Sequence, residues 1–207
     1  MNYRTVAEPF AFEPERIKGS RFLAALAPIA SAAEGEAFVQ ARRALHPNAS
    51  HTCFAWRVGA EGTEHRSSDD GEPAGSAGRP ILAQIEGHEL TFVAVTVARW
   101  FGGTKLGVGG LVRAYGGTAG MAMDRAPIIE REITQSLELR FPYDCTAVVQ
   151  ACLHAANLEP VDADYGSEVY FKLEVPLAAE AALRFELNER TSGRVQLSAS
   201  SAKPGPP

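Results

Sequence analysis

Residues 90–113 read LTFVAVTVARWFGGTKLGVGGLVR, a strand, a Gly-rich loop and the start of a helix in succession, and the loop is the chain's most specific local signal. The opening part, 90–98, is the most apolar strand-like run in the chain and is expected at the centre of a sheet. It passes directly into a Gly-rich loop, and a helix is expected from Leu111 onward. Between a buried strand and a helix, backbone N–H groups and the positive end of the helix dipole face outward together. Glycine serves such a loop wherever φ is positive or another backbone must come close. Arg99, Lys105 and Arg113 lie in or beside the loop, with no acid between positions 99 and 113. Arg99, Gly102, Gly103, Lys105, Gly107, Gly109, Gly110 and Arg113 therefore form a candidate anion or phosphate cradle. The loop matches neither the P-loop pattern nor the dinucleotide fingerprint. The alternative is a tight turn whose glycines let a helix pack closely on a sheet.

Working toward the N-terminus, segments 3–6, 20–26 and 52–58 read as strands. Ala33, Ala37, Phe38, Ala41 and Leu45 share a helical face over 31–45. The polar, Gly-rich stretch 59–78 is expected to be a long loop, and 80–85 a short helix with Pro80 in its first turn. Beyond a domain break around Pro127, 133–141 (ITQSLELRF) alternates like a half-exposed strand. Asp144 is a candidate N-cap for a helix over 145–157, whose apolar face is Val148, Val149, Cys152, Leu153 and Ala156. A hairpin follows over 158–175, then a helix over 178–188 and a strand over 194–198. The order β-α-β-β-α-β is the ferredoxin-like split pattern. The tail, 202–207, is expected to be frayed.

Composition narrows the function classes. The 207 residues are 45% hydrophobic with a net charge of −5, which excludes a disordered chain. No apolar run is long enough for a bilayer span, and the first residues lack a signal-peptide core, so a cytoplasmic protein with no membrane partner is expected. Three irregularly spaced cysteines fit a reducing compartment with no disulfide partner. Up to Pro127 there are 13 basic and 13 acidic residues; after it there are 7 and 12. Neither part has the basic excess of a non-specific nucleic-acid binder, so any such contact must come from a local patch.

Two further clusters could carry chemistry. Asp69, Asp70 and Glu72 crowd three carboxylates into four residues, tolerable if solvated, capping a helix or neutralised by a cation. Opposite the basic loop they could hold a divalent metal such as Mg²⁺; otherwise they cap the helix near Pro80 and pair with Arg79 or Arg99. His46, His51 and Cys53 could supply three zinc ligands, but a fourth at motif-like spacing is missing. Cys53 with His51 as nucleophile and base fits no better, because both lie on one face of a strand; the alternative is a buried strand Cys and a helix-ending His-Pro. Trp100 and Phe101 could stack a base or simply close a core.

The stretches SDDGEPAGSAGRPIL (68–82) and VARWFGGTKLGVGGLVRAY (97–115) resemble the signature of the IMPACT/YigZ family, as do KGSRF (18–22) and HTCFA (51–55). The likeness covers about 17–123, and the C-terminal part is similar to that of the family's bacterial members. Ala74 and Trp100 depart slightly from the pattern, where Ser and Tyr are common. The resemblance implies an α+β protein of two domains. Residues 1–127 would resemble the second domain of ribosomal protein S-five and domain IV of elongation factor G. Residues 128–201 would be ferredoxin-like, as in domains III and V of that factor. Eukaryotic IMPACT regulates translation under stress, whereas no settled catalytic activity comes with the bacterial branch. The expectation is a translation-associated protein that binds RNA, the ribosome or a translation factor through the Gly-rich loop. The alternatives are a metal-dependent enzyme acting on a phosphorylated or nucleotide substrate, and a protein-binding adaptor that uses the loop 59–78.

Overall fold

The chain opens with β1 (Asn2–Val6), which buries Val6 in the core of the N-terminal unit. Strand β6 (Val93–Trp100) is buried along its length except at Trp100. It is flanked by β3 (Arg21–Pro28) and β4 (His51–Val58), both antiparallel to it. That central position explains the largely apolar run, since both of its faces are covered. In the computed structural model, which describes residues 2–199 and the backbone of 203–204, the sheet continues outward. β2 (Phe10–Phe12) lies beyond β3 and β5 (Glu64–Ser68) beyond β4. One face carries Phe22, Leu26, Ala55, Val95 and Val97 under α2 (Gly78–Gly87) and α3 (Val108–Met123). On the other, α1 (Ala32–Leu45) lays Gly35 against the Trp56 ring so closely that a Cβ would sit 2.9 Å from it. Trp56 Nε1 donates to Glu36 at 2.8 Å on the same side. Ser31 caps α1 by accepting from the Glu34 N–H, while Glu34 accepts from the Ala30 N–H.

The stretch expected to be one long loop contains β5, a correction with a plain cause. EHRSS is an exposed edge strand without an apolar face, so it has no period to read. β2 escapes sequence reading in the same way, being three residues long. α3 starts at Val108 rather than Leu111, because its first turn contains two glycines.

One compact unit spans Tyr3–Glu130 and the other takes the chain from Arg131 onward together with Asn2, against an expected break around Pro127. In the second unit, β7 (Ile128–Phe141) pairs with β9 (Val169–Pro176) on one side and β10 (Gln196–Ala199) on the other. β8 (Asp162–Tyr165) pairs outside β9. The order β8-β9-β7-β10, all antiparallel, is that of the ferredoxin-like pattern. Helices α4 (Thr146–Ala155) and α5 (Glu180–Thr191) bury Val149, Leu153, Leu183 and Leu187 against Leu139, Phe171 and Leu173.

Asp144 does not cap α4. It lies in a 3-10 turn (Tyr143–Cys145), and its carboxylate takes Arg194 at 2.5 Å instead. Ala156, expected on the buried face, is exposed just past the helix end. In the expected frayed tail, Lys203–Pro204 pairs along β7 opposite Thr134 and Ile133; the rest lies outside the described residues. No helix among the described residues is long and apolar enough to cross a membrane.

Candidate phosphate-binding loop and its buried support

The Gly-rich loop, residues 101–107, is pinned at its base by two serines. Ser20 Oγ accepts from the Gly102 N–H (3.2 Å) and from Arg99 Nη2 (3.3 Å). Ser50 Oγ accepts from the Phe101 N–H at 3.1 Å. Gly102 and Gly19 touch backbone to backbone: a Cβ on Gly102 would fall 1.9 Å from the Gly19 carbonyl carbon. Gly102 is thus required by close approach, and Gly107, with φ of 74°, by its conformation as N-cap of α3.

Beyond these anchors the loop faces water. Gly103 and Lys105 are exposed, as is Gly109 in the first turn of α3; Gly110 beside it is half-buried. No side chain caps α3 and no acid lies in its first turn. Its leading N–H groups therefore lack intrahelical acceptors and carry the positive end of a 16-residue helix. Next to them is a hollow of about 240 Å³ lined by Ile17, Lys18, Leu106, Gly110, Arg113 and Ala114. Among the described residues, the charged ends of Lys18, Lys105 and Arg113 have no ion-pair partner. Lys18 belongs to this cluster although loop spacing could not reveal it. It lies 87 positions before Lys105 and is delivered by the tight 17–20 turn next to Gly102. Phe101 is 51% exposed at the loop's start, whereas Trp100 is covered by the Arg21 guanidinium at 4.4 Å.

Arg99 stands apart from the other expected phosphate ligands. Only 6% of its side chain is exposed, and Nη1 is paired with Glu72 Oε1 at 2.7 Å, leaving no face for a polyanion. Tyr115 donates its hydroxyl to the same oxygen at 2.7 Å, and His51 Nε2 is 4.0 Å away. Burial, the nearby Cys53 thiol and Glu72 all raise the Tyr115 pKa, so it is held as the neutral donor.

The three acids diverge. Asp69 turns toward the start of α2, where its oxygens accept from the N–H groups of Gly75, Ala77 and Gly78 at 2.8–2.9 Å. Burial pulls the Asp69 pKa upward, but these backbone donors outweigh it and leave the carboxyl below its usual range. Asp70 accepts from Arg43 and from the Thr52 N–H, both at 2.6 Å. Glu72 is buried in the Arg99 pair. The acids thus cap a helix and neutralise arginines, and among the described residues no three His, Cys, Asp or Glu side chains converge as metal ligands.

His46, His51 and Cys53 also part company. The His46 ring meets Trp100 edge-on, and His51 Nδ1 is 2.7 Å from the Asp70 carbonyl. Cys53 donates to the Asp69 carbonyl, and burial pushes its thiol up to about 12, far from an activated nucleophile.

The chain has two α+β units, the first presenting an exposed basic loop braced by a buried Glu-Arg-Tyr cluster, and its match to the family's domain model and to relatives over most of its length places it in the IMPACT family. Residues 18–123 match the Impact N-terminal domain, and 139–194 match a domain of unknown function, DUF1949. The chain is 36% identical to IMPACT family member YigZ of Escherichia coli over 185 residues, covering 88% of this chain and 91% of that one. It is 43% identical to a Thermus thermophilus IMPACT family member over 180 residues, covering 86% and 97%. A crystal structure described as that of a hypothetical protein superposes with a TM-score of 0.74 at 34% identity, covering 97% of this chain and 98% of that one.

Proposed function

We propose that this protein is a translation-associated binding protein that takes RNA phosphate on the first turn of α3. Lys105, Arg113 and Lys18 supply the countercharge, and Phe101 offers a face on which a base can stack. The observation that carries this reading is the juxtaposition of uncapped helix amides with three cations that have no ion-pair partner among the described residues. Membership of the IMPACT family and the resemblance to elongation-factor domains support a place in translation, by analogy. The balanced charge of the N-terminal part makes the interaction local and sensitive to salt. A binding role is favoured over metal-dependent chemistry because protein donors already engage Asp69, Asp70 and Glu72. The test is co-sedimentation of the purified protein with ribosomes and with free transfer RNA across a salt series. Salt-sensitive binding that disappears in Lys105→Glu is expected; absence of binding at low salt would overturn the reading.

A further inference from the structure

The second unit has an open sheet edge beside an apolar groove. Among the described residues β8 pairs only with β9, so its outer edge presents backbone groups to solvent. Between β8 and the end of α4 lies a groove of about 450 Å³, lined by Leu153, His154, Leu158, Ala163, Tyr165 and Phe171. Tyr165 in its wall is 57% exposed.

Alternation along β8 sorts the side chains. Ala163 and Tyr165 face the groove, so Asp162 and Asp164 lie on the opposite face. The segment from Glu159 to Glu168 holds four acids and no cation. Lys172, opposite Asp162 on β9, offsets one of them.

We propose that β8 is a docking edge for an extended, basic polypeptide segment of a partner protein, added as a further strand. Backbone pairing supplies part of the binding, and alternate side chains supply the selection. Residues on the groove face are apolar and fill the hollow beside Leu153 and Leu158. Those on the other face are Lys or Arg and lie beside Asp162 and Asp164. The acids argue against a second copy of this chain, because two β8 edges would bring aspartates together.

The probe is a seven-residue labelled peptide alternating Lys and Val, titrated into the full-length protein at low salt and followed by fluorescence anisotropy. A peptide with the same residues in two blocks and a Glu-Val alternating peptide serve as comparisons. Saturable binding is expected for the Lys-Val alternation, at least about tenfold tighter than for either comparison. Ala163→Phe, which fills the groove without touching charge, weakens it by a similar factor. Asp162→Lys with Asp164→Lys reverses the preference toward the Glu-Val peptide. Amide exchange on the wild-type protein reads the same interaction without a variant, slowing at residues 162–165 only with the alternating basic peptide. Equal binding of block and alternating peptides, no saturable binding, or unprotected β8 amides in the saturated complex would each overturn the proposal.

Discussion

Replacing Glu72 by Ala should cost the N-terminal unit a large part of its stability. Glu72 and Arg99 expose only 5% and 6% of their side chains, so the substitution strands a buried guanidinium and removes the acceptor of the Tyr115 hydroxyl. Breaking a buried pair from one side costs about 3–5 kcal/mol, a large part of the roughly 5–15 kcal/mol that holds a domain folded. With a urea slope of about 2 kcal/mol per molar, the midpoint should fall by about 2 M. The assay is selective, because both tryptophans, Trp56 and Trp100, lie in the Tyr3–Glu130 unit, so their fluorescence reports that unit alone. Glu72→Met combined with Arg99→Met should recover much of the loss, since an apolar pair of similar volume leaves no stranded charge. A midpoint shift under about 0.5 M for Glu72→Ala would mean that the pair is solvated rather than buried, the opposite of what is expected.

Three other outcomes are expected. Gly102→Ala forces a Cβ into the Gly19 backbone, so the loop must move; a lower melting temperature and weaker RNA binding should appear together. Asp69 has a depressed pKa, so its cap contributes fully above the unfolded-state value of about 3.9 and is lost as pH falls through the lower folded value. The melting difference between wild type and Asp69→Asn should accordingly be flat from about pH 5 to 8 and shrink only in acid. Cys53, buried and pushed up to about 12, and the equally buried Cys145 and Cys152 should resist a thiol reagent at neutral pH until the chain unfolds in urea.

Patterns set by the local chain are readable from the residues alone. The apolar run over 90–98 marks the central strand, the helix expected over 31–45 is α1, and the β-α-β-β-α-β order matches the C-terminal sheet. The polar strand β5 is not readable, because an edge open to water imposes no alternation. Partner choice over long separations is only partly readable: a cap on the helix near Pro80 and a pair with Arg99 are among the arrangements the residues suggest, and both form, but which of the three neighbouring acids takes which role, and that Asp70 takes Arg43, is set by the fold. Lys18 joins the loop cations because Gly19 meets Gly102, an approach that no local spacing encodes.

In the proposed function, the exposed first turn of α3, with Lys105 beside it, binds RNA phosphate. Its most direct test is the salt dependence of transfer-RNA affinity in wild type and Lys105→Glu, measured by titration from low to moderate salt. The expected result is a linear fall of log K with log salt. In the variant, binding is weaker and the slope shallower by about 0.7–0.9 for each phosphate that the protein no longer neutralises. Coincident lines for the two proteins would contradict it.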